Sequence, residues 1–156
     1  YGTTVKPDKY DSALLYGLEA GKYRLALKTP KDQIINIEYT RDKSKKKAAY
    51  KKSKAINLKS DIDSIYTSTE KAARWYKASV SSTKKRKAVT LSKDSVGGGF
   101  KFCVYQKGKR LKTVKVTKND KVKTVKLPKK KGAYYVKVTK LTSKTTGAYY
   151  LGTYIY

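Results

Sequence analysis

The sequence predicts an all-β domain, an antiparallel β-sandwich or barrel. From residue 75 onward apolar and polar residues alternate with a period of two, as in Tyr134, Val136 and Val138 against Tyr135 and Lys137. Turn-forming residues recur between these runs, and no stretch there has the 3.6-residue period of an amphipathic helix. Seven short strands joined by short connections are typical of a sandwich or barrel.

The alternating runs place six strands over residues 76–80, 100–104, 114–116, 125–127, 134–138 and 149–155. Turns are predicted between the strands at residues 81–87, 93–99, 107–110, 118–121, 128–132 and 142–147. A seventh strand fits between the first two of these turns. Gly, Asn, Asp and Pro in these turns supply the backbone angles, or the missing donor, that end a strand. The glycine run at 97–99 is not a phosphate-binding loop, because no Gly-Lys-Ser/Thr follows it and no helix is expected there. It is predicted to be a flexible turn or bulge.

The N-terminal part divides from the rest near residue 42. Residues 21–27 and 33–39 are predicted as a β-hairpin that packs on the sandwich, since an isolated hairpin is marginal in water. The pattern Gly21-x-Tyr23-x-Leu25 recurs 111 residues later, at Gly132. Residues 1–42 are therefore either the end of a preceding similar unit or strands added to this one. Residues 43–156 form the sandwich, entered by a lysine-rich loop at 44–56 rather than a helix.

Composition excludes several classes of protein. The chain of 156 residues has no His, so imidazole bases, His-ligated metals and Ser-His triads are excluded. The single Cys103 cannot form an intrachain disulfide. No apolar run approaches the roughly 20 residues that span a bilayer. Asp61 and Asp63 would give calcium two oxygens where it takes six to eight, so neither a metal nor a cofactor is predicted.

Charge is distributed unevenly along the chain. Residues 71–156 contain 24 Lys or Arg and two acids, a net charge of +22 within a total of +28. A net charge of this size affects which partners a protein attracts rather than which fold it adopts. Only five of the 39 basic residues are Arg, the residue suited to bidentate recognition of phosphates and bases. The lysines favour diffuse attraction to polyanions over the reading of a nucleic-acid sequence.

Four runs in the C-terminal part resemble motifs of bacterial pre-peptidase C-terminal domains, in the order and spacing of that family. They are residues 74–80 (RWYKASV), 102–105 (FCVY), 127–138 (LP…GAYYVKV) and 147–151 (GAYYL). Arg74 and Phe102 stand where the family has acidic residues, so no role of those acids is carried over. Across residues 48–156 the resemblance implies a jelly-roll-like sandwich, a non-catalytic accessory module of a secreted or cell-surface bacterial protein.

Antiparallel order assigns the turns alternately to the two ends of the sandwich. One end receives the turns 81–87, 107–110 and 128–132, with ten basic residues and no acid. They are Lys84, Lys85, Arg86, Lys87, Lys107, Lys109, Arg110, Lys129, Lys130 and Lys131. At the other end Lys93, Lys118, Lys121 and Lys144 face Asp94 and Asp120. The +10 end is predicted to bind polyanions; the alternative is a lysine surface that serves only solubility.

Tyrosine is abundant, and most of the 15 are expected to be ordinary sheet residues. Tyr135 and Tyr150 are out of phase with the core positions and are the candidates for stacking on sugars or bases. Trp75 is predicted to be a core anchor or a cover on a sheet face. Cys103 is expected to be a small buried or half-buried residue.

The sequence therefore predicts a binding or structural module, whose partner is an anionic cell-wall polymer or a glycan. A dedicated polyanion or nucleic-acid binder is the alternative, and the shortage of Arg counts against it. An enzyme is disfavoured because no acid–base constellation is present.

Overall fold

The computed structural model describes residue 22 and residues 48–58, 62–66, 71–143 and 145–156. The predicted N-terminal hairpin lies outside these residues. A 3₁₀ turn at Lys52–Lys54 is followed by nine strands. They are β1 (Ile56–Asn57), β2 (Ile62–Tyr66), β3 (Arg74–Val80), β4 (Lys87–Gly97), β5 (Phe100–Gln106), β6 (Lys109–Val116), β7 (Val122–Lys126), β8 (Gly132–Lys140) and β9 (Thr146–Ile155).

The strands form two sheets. Sheet A has the order β1-β3-β8-β5-β6, and sheet B has the order β2-β9-β4-β7. Every pair is antiparallel except β1 with β3. Consecutive strands belong to different sheets at every step except from β5 to β6, so most connections link the two layers. The prediction of an antiparallel β-sandwich is confirmed.

The core lies between the sheets and consists of alternate residues of each strand. Tyr134, Val136 and Val138 of β8 are fully buried, and the residues between them are only half-buried. Leu91 and Leu151 supply the same kind of surface from sheet B. Fully burying an aliphatic or aromatic side chain contributes about 1.5–3 kcal/mol relative to exposure, so this alternation fixes which face of each strand turns inward.

Two tyrosines link the sheets within this core. Tyr76 of β3 and Tyr149 of β9 are both buried, and their hydroxyl groups hydrogen-bond to each other. Their rings meet edge to face with centroids 6.4 Å apart, and Phe100 packs on Tyr149 at 5.0 Å. A buried hydroxyl is costly without a partner, so this pair places two polar atoms in an apolar interior at little cost.

Close packing, rather than a need for flexibility, explains the glycine run at residues 97–99. Strand β4 continues to Gly97 with a register shift after Asp94, so a bulge is present and the predicted turn shrinks to two residues. Gly98 has φ +76°, and a Cβ on Gly99 would lie 2.1 Å from the Val116 carbonyl oxygen. No side chain fits at either position.

Several boundaries differ from the prediction. Strands β1 and β2 have no clear alternation in the sequence and were not predicted; β1 is only two residues long. The hairpin between β5 and β6 turns on Lys107 and Gly108 alone, both with positive φ, which places Lys109 and Arg110 in β6. No helix among the described residues is long and apolar enough to cross a bilayer.

We expect Tyr76→Phe and Tyr149→Phe each to lower the free energy of unfolding by about 1–2 kcal/mol, because each removes one member of a buried hydrogen bond. In the double variant the loss should fall short of the sum by about 0.5 kcal/mol or more, as for other directly coupled pairs. Equilibrium urea unfolding measures all four proteins. Strict additivity would show that the two hydroxyl groups do not stabilise each other.

Candidate functional site

The topology brings the three lysine-rich loops to one end of the sandwich, here called the basic end. Strands β3 and β5 both pair antiparallel with β8, so their C-terminal ends lie beside its start. The same end of sheet B holds the start of β4 and the end of β7, since these strands are antiparallel. The Leu127 amide donates to the Lys87 carbonyl at 2.8 Å, and Lys87 Nζ donates to the Ser79 carbonyl at 2.9 Å, which ties the layers together.

All ten basic residues predicted for this end lie in or beside these loops. Lys87 is half-buried, and the other nine are exposed. Within the described part of the chain, none of the ten pairs with a carboxylate. Exposed charges of this kind are screened by salt over a Debye length of about 8 Å at physiological ionic strength. Within that range the positive charges of the basic end repel one another.

The loop between β7 and β8 is held to the core by a tyrosine. Tyr134 is buried in sheet A, and its hydroxyl donates to the Lys130 carbonyl at 2.9 Å and to the Pro128 carbonyl at 3.3 Å. Burial raises the pKa of the Tyr134 hydroxyl above its ordinary value, so it remains a donor at neutral pH. The backbone around Lys130 is therefore hydrogen-bonded to a buried side chain, while the side chains of Lys129–Lys131 are exposed.

A groove opens beside this end, along the edge of sheet A. It has a volume of about 490 Å³ and is lined by Asn57, Leu58, Lys77, Ser79 and Lys87. Two ammonium groups thus border one concave surface, which extends the positive region from the loops onto the sheet edge.

Charge at the opposite end is partly neutralised. Asp120 accepts hydrogen bonds from the Thr117 amide and hydroxyl at 2.8 and 2.7 Å and forms an ion pair with Lys123 at 2.7 Å. Lys123 first, and then Thr117, hold the pKa of the Asp120 carboxyl well below its usual range. The carboxylate is therefore ionised at all physiological pH values and neutralises part of the positive charge around it.

The outer face of sheet A carries a cluster of three aromatic side chains, here called the aromatic face. Trp75, Tyr135 and Tyr105 lie on β3, β8 and β5, three neighbouring strands, and all are half-buried. Tyr135 and Tyr105 are directly opposite in register, and the rings of Trp75 and Tyr105 lie 5.6 Å apart with a 43° tilt. One aromatic ring thus stands on each of three successive strands.

Cations surround these rings. Lys137 Nζ lies 5.6 Å from the Trp75 ring centre, and Lys52 Nζ lies 4.7 Å from that of Tyr135. Each such contact contributes about 0.5–1 kcal/mol at an exposed site. Burial raises the pKa of the Tyr105 hydroxyl, and the positive charge of Arg110, its partner in register, partly offsets that rise.

The two tyrosines predicted for stacking are not brought together. Tyr135 belongs to the aromatic face of sheet A, whereas Tyr150 is 38% exposed on the outer face of sheet B, across the sandwich. Trp75 covers a sheet face, which is one of the two roles predicted for it. Tyr105 was missed, although it is out of phase with buried Val104, and this periodicity is the signal that would have found it.

Comparison with known proteins gives a likeness of fold. No family model and no curated protein matches the chain. The structure is similar to the pre-peptidase C-terminal domain of a collagenase from Bacillus anthracis, with 17% identity over 64% of this chain and 92% of that one and a TM-score of 0.49. That domain belongs to the family whose motifs this sequence resembles.

Two carbohydrate-binding modules of family 35 are also similar. One, from an environmental isolate, has 16% identity over 58% of this chain and 75% of its own, with a TM-score of 0.39. The other, from Cellvibrio japonicus Abf62, has 13% identity over 58% and 72%, with a TM-score of 0.37. Likeness at this level concerns the arrangement of strands and carries nothing about a ligand.

We expect Tyr134→Phe to lower the free energy of unfolding by about 1 kcal/mol, the typical net contribution of one hydrogen bond. Amide hydrogen exchange in residues 127–131 should accelerate, because the loop loses its tie to the core. Tyr150→Phe, at an exposed position on the other sheet, serves as the control and should change neither quantity. Unchanged exchange in the Tyr134 variant would show that this hydroxyl does not hold the loop.

Proposed function

We propose that this domain is a non-catalytic binding module whose basic end holds anionic polymers, such as acidic glycans or phosphate-bearing cell-wall polymers. One observation carries the proposal: sheet topology gathers three separate lysine-rich loops at one end, with ten basic residues and no acid in them. A surface kept positive only for solubility has no need of this segregation.

The residue types suit a polymer with repeated charges rather than a small ligand. Nine of the ten side chains are exposed, and eight of the ten are lysines, hydrated point charges on flexible stems. Such groups follow a chain of phosphates or carboxylates without fixing its geometry. Binding then comes from many weak contacts and counterion release, and it weakens steeply as salt rises.

The chemistry of the chain supports a module without catalysis. It has no His, and its one thiol, Cys103, lies buried beside the Thr113 hydroxyl at 3.4 Å. The sequence motifs resemble accessory domains of secreted and cell-surface proteins, and we assign the domain to that setting. A dedicated nucleic-acid binder is the second candidate, and the observation in its favour is the aromatic face next to the charges.

The test compares two variants that lose the same number of charges. Lys129→Gln, Lys130→Gln and Lys131→Gln together remove three charges from the basic end. The control combines Lys71→Gln, Lys118→Gln and Lys121→Gln, three exposed lysines outside it. We expect the first triple variant to leave a phosphocellulose column at clearly lower salt, and its affinity for soluble polyphosphate to fall about tenfold at physiological salt. The control should change less than twofold.

Adding Lys84→Gln, Lys85→Gln and Arg86→Gln to the first variant should reduce binding further and flatten its dependence on salt. Thermal unfolding monitored by circular dichroism verifies that each variant is folded. Equal retention of the two triple variants would mean that net charge alone governs binding, and the proposal would be rejected.

A further inference from the structure

We propose that the aromatic face binds the bases of single-stranded nucleic acid while the adjoining basic residues hold its phosphates. This inference rests on the proposed function of the basic end and names the class of polyanion that the whole surface prefers. It follows from how the aromatic face and the charges are combined on sheet A.

The first step is the placement of the rings. Trp75, Tyr135 and Tyr105 stand on β3, β8 and β5, which are consecutive in the sheet. Neighbouring strands are about 4.8 Å apart, so a polymer that crosses the sheet meets one aromatic side chain at each strand. Every nucleobase has a π face that stacks on such rings, so this contact does not depend on the sequence of the nucleic acid.

The second step is the charge on the same face. Lys77, Lys101, Lys115 and Lys137 project to this side of the sheet, as their alternation with buried residues requires. Arg110 joins them because the register shift in β5 and β6 pairs it with Tyr105. No described residue on this face is acidic. A ring-bearing polymer that is also an anion matches both properties of the face, whereas a neutral polymer matches only one.

The third step is that the rings become accessible when an anion arrives. Lys137 and Lys52 now lie over Trp75 and Tyr135. A phosphate draws these ammonium groups away, because a charge–charge interaction is stronger than a cation–π contact at an exposed site. The rings that the two lysines covered are then open to the bases attached to that phosphate.

The fourth step is continuity with the basic end. Arg110 belongs to both surfaces: it is one of the ten residues of the basic end, and it is the register partner of Tyr105 on the aromatic face. Lys77 is opposite Tyr135 in register and also lines the groove with Lys87. A nucleic-acid strand bound at the basic end therefore continues directly onto the aromatic face. A duplex, whose bases are stacked inside, gains nothing from the rings.

The experiment uses Trp75, the single tryptophan of the chain, as a reporter within the site. Its fluorescence is followed during titration with a thymidine 15-mer, an inorganic polyphosphate of equal charge, a heparin fragment of equal charge and a 15-base-pair duplex. We expect the single strand to quench the emission by at least a third. Its affinity should exceed that of polyphosphate about tenfold, and the other three polyanions should bind without quenching.

Variants separate stacking from charge. Tyr135→Ala should reduce affinity for the 15-mer about tenfold and leave affinity for polyphosphate unchanged. The control, Tyr154→Ala, removes a 45% exposed tyrosine from the outer face of sheet B and should affect neither ligand.

The outcomes distinguish this inference from the function on which it rests. If polyphosphate binds but the 15-mer binds no more tightly and leaves the emission unchanged, the inference fails and the proposed function stands. If heparin quenches as strongly as the 15-mer, the face prefers acidic glycans, and the inference is overturned. If neither polyphosphate nor the 15-mer binds at low salt, both fail.

Discussion

The interior between sheets A and B is made of alternate residues from the long strands, and each buried residue directs its neighbours outward. Tyr76, Val136 and Phe102 face inward from three adjacent strands of sheet A, so Trp75, Lys137 and Cys103 face the other way. The Tyr76–Tyr149 pair places two hydroxyl groups in the same interior and satisfies them there. Because apolar burial decides which face of a strand turns inward, it also decides where the aromatic and basic side chains of this chain lie.

Two surfaces with different chemistry result from this one constraint. The basic end depends on the alternation of strand direction, which brings the loops before β4, β6 and β8 to the same side. The aromatic face depends on the order β3-β8-β5, which aligns three rings that are far apart in sequence. In the proposals made above, the first surface attracts a polyanion and the second discriminates among polyanions. At the opposite end Asp120 pairs with Lys123 and accepts a hydrogen bond from Thr117.

Local periodicity made much of the fold predictable. The inward phase of Tyr134, Val136 and Val138 follows from alternation alone, and the sandwich follows from several such runs joined by short turns. Strand order is non-local, so the sequence did not show that Trp75 reaches Tyr105 across β8, or that Tyr135 and Tyr150 lie on opposite sheets. Strands β1 and β2 were not predicted because runs of two to five residues are too short to show a clear alternation of apolar and polar residues. The turn or bulge predicted for the glycine run is present, but the close approach of Val116 to Gly99 depends on tertiary packing and was not predictable from the sequence.

The most direct test of this account is a map of amide chemical-shift changes when inorganic polyphosphate is added to the isotopically labelled domain. If one shared interior gathers the lysine-rich loops, the largest changes fall together in residues 81–87, 107–110 and 127–132, and residues 117–121 change little. Changes of similar size at both ends of the sandwich would contradict it.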